Sequence, residues 1–164
     1  MKKRLMSMVL VVLIALGMVA CGKESEGTLI YSIPEDFVYD QASGCYVSPD
    51  YPYVYTNINY YSQPNDGSFR TLTQRNVEGM FEEVLSAQLQ ENIDITITRW
   101  EKTEIDGYDA IIYSLEYVVS GLDCKQTQVA INGTDNFHYV TFTDYGEYVY
   151  EDAFMESISS WEFE

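Results

Sequence analysis

The sequence predicts an α+β domain: an antiparallel β-sheet with two packed helices, in the order β-β-β-α-β-β-β-β-α-β. Three observations carry that prediction. The hydrophobic spacing switches from period two to period 3.6 and back again. Three glycine-containing turn dipeptides, Asp106-Gly107, Ser120-Gly121 and Asn132-Gly133, punctuate the second half of the chain at hairpin distances. The 15 Tyr, 7 Phe and 2 Trp among 164 residues suit a half-buried sheet and exclude a disordered chain.

The first third reads as short extended pieces. Thr28 to Ile33 stops at Pro34, and CYVSPD at 45–50 is bounded by Gly44 and Pro49. YPYVYTNINYYS at 51–62 alternates after Pro52: Tyr53, Tyr55, Asn57, Asn59 and Tyr61 share one face, with Val54, Thr56, Ile58 and Tyr60 on the other. QPNDGS at 63–68 is a loop signal. Helical spacing follows at Val77, Met80, Phe81, Val84, Leu85 and Leu89, with Glu78, Glu82 and Glu83 outward. Thr71 with Gln74, or Thr73 alone, can cap its start. Gly79 inside the helix suggests close packing on a sheet, and the stripe through Met80 and Phe81 reads as core rather than as a groove. From Asp94 the alternation returns, with Ile93, Ile95 and Ile97 on one face, and four strands form a meander to Asp144. A second helix is predicted over Tyr150 to Ser159, and WEFE closes as a short strand with Trp161 and Phe163 inward.

Residues 1–27 do not belong to that domain. Lys2, Lys3 and Arg4 precede an uncharged run of 16 residues, Leu5 to Ala20. A membrane span takes about 20 apolar residues and a secretory signal about 7–15, so length alone leaves both open. Met18-Val19-Ala20-Cys21 resembles a bacterial lipobox, with Met in place of the usual Leu. That resemblance implies removal of residues 1–20, diacylglyceryl attachment to Cys21, and anchoring on the outer side of a bacterial membrane. Cysteine suits this attachment because its thiolate is a strong nucleophile. Residues 21–27 then form the lipidated cysteine and a polar tether, and residues 28–164 form a single domain. An uncleaved anchor with an incidental cysteine is the plainer alternative.

Assigning Cys21 to lipid leaves Cys45 and Cys124, an even pair in a disulfide-permissive compartment. A bridge between them would close 79 residues and contribute about 4–5 kcal/mol by chain entropy. The alternative is two free thiols.

The whole chain carries 26 acidic and 9 basic residues, a formal charge of −17. Without the three basic residues of the leader the charge is −20. Such a surface repels nucleic acid, which binds through Lys and Arg. The acids are scattered, which suits solubility outside the cell.

YSIPEDF and CYVSPD near the start, the EIDGYDAIIYSLEY and KQTQVAINGTDNFHYVTFT hairpins, and the closing FMESISSWEF together resemble the PsbP-like/Mog1 fold family over residues 28–164. The resemblance implies an accessory or binding protein and supplies no catalytic motif. The residues themselves point the same way. His138 is the only histidine and falls in a predicted strand, and no HExxH, CxxC, GxSxG or P-loop occurs. Asp94-x-Thr96 and the 132–136 loop offer oxygens without EF-hand spacing. No catalytic residue, metal or cofactor is expected. Tyr51, Tyr53, Tyr55 and Tyr61 form a candidate aromatic surface for a sugar or peptide, weighed against ordinary sheet packing. The expected function is therefore a tethered, non-enzymatic binding or accessory module acting on an envelope protein or cell-wall ligand. The alternative is a membrane-anchored hydrolase using carboxylates or a metal.

Overall fold

In chain order the strands before the first helix are β1 (Leu29–Ile30), β2 (Val38–Asp40), β3 (Cys45–Val47) and β4 (Asn57–Pro64). A 3-10 turn at Ser68–Thr71 leads into α1 (Gln74–Leu89). Four long strands follow: β5 (Thr96–Ile105), β6 (Tyr108–Val119), β7 (Leu122–Asn132) and β8 (Asn136–Tyr145). The chain closes with α2 (Glu151–Ser157), a 3-10 turn at Ile158–Ser160, and β9 (Glu162–Phe163). The structure is a computed structural model that describes residues 27–50, 56–145 and 150–164. The predicted leader, Cys21, most of the tether, and Tyr51, Tyr53 and Tyr55 lie outside the described residues.

Seven strands form one antiparallel sheet in the order β2-β3-β4-β8-β7-β6-β5, and β1 pairs with β9 in a separate ribbon. The turn dipeptides set the meander. Asp106 and Gly107 have φ of +49° and +81°, and Ser120 and Gly121 have +51° and +78°. Two successive positive φ values match the right-handed twist of a hairpin, which is why glycine occupies the second site in each. The connection at Asn132-Gly133 differs: it runs over three residues, 133–135, before β8.

One expectation is corrected at the start of the domain. Four strands precede α1, not three, because β2 pairs with β3 as a hairpin. Asp40 accepts the Ser43 N–H at 3.0 Å on its carboxylate, and Gly44 takes φ +71° to complete the turn. β2 left no period-two signal because Val38 and Tyr39 are both exposed at the sheet edge.

The two helices lie on opposite faces of the sheet. α1 packs Val77, Phe81 and Leu85 over Ile97, Ile111, Tyr113 and Leu115. Thr73 caps it, its hydroxyl accepting the Asn76 N–H at 3.2 Å. On the other face α2 and the β1–β9 ribbon bury Phe154, Ile158, Trp161 and Leu29 against Ile112, Val129, Val140 and Phe142. A register shift between Ile97 and Arg99 turns Trp100 to the α1 face, where it stacks on Tyr113 at 5.5 Å.

Gly79 is also corrected. It is exposed, and a Cβ added there would meet nothing within 4 Å, so sheet packing does not require it. Gly27 is the opposite case. A side chain there would collide with the backbone of Glu164, whose carbonyl accepts the Thr28 N–H at 2.5 Å.

Candidate functional site

Sheet register builds a polar floor on the α1 face. Asn57 lies opposite Thr143, which lies opposite Gln126. One pleat along, Asn59 lies opposite Thr141, then Gln128, then Tyr113 on β6. A third row places Tyr61 opposite Tyr139 and then Ala130. Directly opposed side chains in such rows are about 4.5–5.5 Å apart at Cβ.

α1 roofs only part of this floor. Between its N-terminal half, the 3-10 turn and strands β4, β6, β7 and β8 lies an open cleft of about 340 Å³. Tyr61, Tyr139, Met80 and Phe81 supply its main apolar walls, Asn59, Gln63, Gln128 and Thr141 the polar groups of its floor, and Ser68, Thr71 and Asn76 further polar groups at its rim. None of its 14 lining residues is charged. In a protein with 26 acidic and 9 basic residues, the lining itself is neutral, although the nearby Asp66 carboxylate acts on Tyr139.

The polar groups are partly preoriented. The Tyr113 hydroxyl donates to the Gln128 carbonyl, and the Gln128 amide donates to the Thr141 hydroxyl at 2.9 Å. Thr141 therefore accepts from the sheet and retains its own O–H as a donor. Asn59 is half-buried and has no side-chain hydrogen bond among the described residues. Tyr61 donates to the Gln63 carbonyl at 3.2 Å and stacks on Tyr139 at 6.2 Å, with ring planes 18° apart. Burial raises the Tyr139 hydroxyl pKa, and the Gln63 hydrogen bond partly offsets that rise. At neutral pH the Tyr139 phenol of the wall is uncharged.

Of the predicted aromatic surface, Tyr61 lines this cleft; Tyr51, Tyr53 and Tyr55 lie outside the described residues. The alternation of Asn57, Asn59 and Tyr61 holds. The reading of Met80 and Phe81 as core without a groove is corrected. Phe81 is buried, but Met80 is 43% exposed, and both form a wall of the cleft. Nothing local in the sequence marks Tyr139, Gln128 and Thr141 as lining a cleft. Their parity in β7 and β8 was legible, but not their neighbours.

The candidate disulfide is corrected too. Cys45 and Cys124 are both free and buried. β3 and β7 are separated by β4 and β8, so about 14 Å of sheet lies between them at the usual strand spacing, far beyond bridging range. Burial pushes the Cys45 thiol up to about 11 and the Cys124 thiol up to about 12. These thiols pack rather than react.

His138 is buried on the α2 face, with its Nδ1 2.8 Å from the Tyr60 hydroxyl and its ring edge-on to Phe163 at 5.0 Å. Cys124 belongs to the α1-face core, so the sheet separates it from His138. Asp144 is the buried carboxylate. It accepts from the Thr56 hydroxyl at 2.6 Å, and burial raises its pKa, with Glu151 adding to the rise. It points away from the cleft, beside Lys125, which bonds Glu151 at 2.6 Å and ties α2 to β7. Asp94 and Thr96 border an open depression with Glu116 and Asp123. Among the described residues no group of three or more His, Cys, Asp or Glu converges as a metal site.

The sequence matches no family profile and no curated protein. In structure the chain is similar to the cyanobacterial PsbP (CyanoP) of Synechocystis sp. PCC 6803. The match has 12% identity and a TM-score of 0.57, and covers 92% of this chain and 99% of that one. A second similar structure is LpqN of Mycobacterium tuberculosis, described as involved in cell envelope biogenesis. It has 13% identity and a TM-score of 0.48, with 86% of each chain covered. The domain has the PsbP-like α+β fold. Among the described residues no helix is long and apolar enough to cross a membrane.

Proposed function

We propose that this chain is a bacterial envelope lipoprotein, anchored through lipid on Cys21, whose domain is a non-enzymatic module that binds an uncharged ligand in the cleft beneath α1. The observation that carries the reading is the cleft lined by 14 residues without a charge, inside a protein of formal charge −17. A concave, mostly apolar site with a few converging polar groups is the usual form of a small-ligand site. The lipobox-like MVAC and the polar tether support the anchor. The acidic surface supports a partner other than nucleic acid.

A hydrolase acting in this cleft would need paired acids, or His, Cys or acids to hold a metal, and the lining has none of these. The described carboxylate that is buried, Asp144, lies on the other side of the sheet.

The test uses the full lipidated chain extracted in detergent. Thermal unfolding is followed with matched panels of neutral and charged small molecules. A neutral ligand at about 100 times its Kd stabilises by about 2.7 kcal/mol. Neutral compounds should raise Tm, and Tyr139→Ala should remove the effect. A rise produced only by charged compounds, or one that survives Tyr139→Ala, would sink the cleft reading. The anchor is tested by labelled fatty acid, whose incorporation should vanish in Cys21→Ser.

A further inference from the structure

We infer that the ligand of the cleft is a neutral sugar ring, a pyranose unit of an uncharged glycan; this rests on the reading of the cleft as the binding site. Three features of the wall and floor select that chemistry.

The first is charge. No lining side chain could compensate an ionic ligand, and an anion would also approach against the field of a strongly acidic protein. Uronic, sialic and phosphorylated ligands are disfavoured on both counts.

The second is the unspent hydrogen-bonding capacity of the floor. Asn59 offers a carbonyl and an amide with no partner among the described residues. Thr141 accepts from Gln128 and retains a donor. An acyl chain or purely apolar ring would displace water from these groups and replace none of its bonds. A vicinal diol supplies both donors and acceptors to such an amide–hydroxyl pair. One pleat further along, Asn57 Oδ1 and Thr143 Oγ1 are buried with no partner among the described residues, on side chains that are each 1% exposed. The polar row therefore continues past the cleft as a second unsatisfied step.

The third is the aromatic wall. Tyr61 and Tyr139 are stacked with near-parallel rings beside that row, and Phe81 and Met80 of α1 also line the cleft. A pyranose has hydroxyls around its edge and C–H groups on its faces. It can lay a face on the tyrosines while its edge meets Asn59 and Thr141. The cleft volume of about 340 Å³ suits one or two sugar units.

The experiment is saturation-transfer NMR on the full lipidated protein in a detergent without a sugar headgroup. The probes are a neutral oligosaccharide panel, matched uronic-acid analogues, a neutral peptide panel and a neutral apolar fluorophore. The expected result is transfer to ring C–H protons of a neutral oligosaccharide. Affinity should be about tenfold weaker in Tyr139→Ala and in Asn59→Leu, the scale of one lost contact or hydrogen bond. Unchanged near-UV circular dichroism confirms that both variants fold. Equal binding of the acidic analogues, or sugar binding unchanged in both variants, overturns the inference. Tyr139-dependent binding of the fluorophore or a peptide without any sugar overturns the sugar but leaves the cleft as the site. No Tyr139-dependent binding of any probe overturns both.

Discussion

On the α2 face of the sheet, Phe142 stacks on Phe154 at 4.9 Å, Phe154 meets Trp161 edge-on at 5.8 Å, and Trp161 meets Tyr31 at 6.0 Å. The same strands present Asn59, Thr141 and Gln128 to the α1 face, where the cleft stays open. The α2 face is covered by elements from both ends of the domain, since the β1–β9 ribbon and α2 lie over it. Phe163 donates its N–H to Asp106 at 2.9 Å, pinning the chain end to the β5–β6 turn. The α1 face has one helix of 16 residues for a seven-stranded sheet. The α2 face has the denser aromatic packing, with an open depression of about 330 Å³ beside Ile105, Ile112 and Trp161, whereas the α1 face leaves a mostly apolar cleft over Asn59, Tyr61 and Tyr139. Stability concentrates where packing is densest, and recognition can occupy what remains.

The largest test of that contrast is Phe154→Ala against Phe81→Ala. Phe154 is 0% exposed within a closed cluster, so its truncation leaves a cavity and should cost about 3–5 kcal/mol. Phe81 already borders open space, so its loss should cost clearly less. Urea denaturation of both variants decides it, and equal losses would break the contrast. The cysteines come next. Neither Cys45 nor Cys124 should react with a thiol reagent at pH 8 in the native state, and both should react after unfolding. Mass spectrometry of alkylated protein reads the outcome, and rapid native labelling would refute the packed positions. A smaller effect is expected from Gly79→Ala, which should stabilise by about 1 kcal/mol, because the site is exposed and helical. A loss of stability there would mean that the outer face of α1 is covered.

The gentlest effect is a slope with pH. Burial raises the Asp144 pKa, so its favourable protonated form contributes fully below the ordinary carboxyl range. That contribution is lost as pH rises through the folded-state value. Asp144→Asn should therefore flatten this part of the pH dependence while keeping an acceptor for Thr56. Denaturation midpoints measured from pH 4 to 8 check the sign, and an Asn variant that loses more stability at high pH than the parent would reverse it.

Much of this fold is legible in residue order because its signals are local. Asp106-Gly107 specifies its turn through backbone sterics alone. The spacing of Val77, Phe81 and Leu85 marks a buried helical stripe without knowledge of its partner. Where the signal is weak, the reading fails for physical reasons. β2 buries neither Val38 nor Tyr39, so it leaves no alternation. Met80 has the hydropathy of a core residue but stands at the lip of a cleft. Cys45 and Cys124 form an even pair by count, yet two strands lie between theirs.

The sequence by itself determined the alternation of the strands, the hairpin turns, the two helices and the strong negative charge. These depend on neighbours along the chain and on composition. Only the tertiary structure decided that one helix covers each face, that the two cysteines stay apart, and that Asn59, Gln128 and Thr141 stand in one row under α1. The physical reason is register. The period-two pattern assigns each residue a face, but hydrogen-bond pairing between strands far apart in sequence assigns its neighbours on that face. A binding site is a set of neighbours.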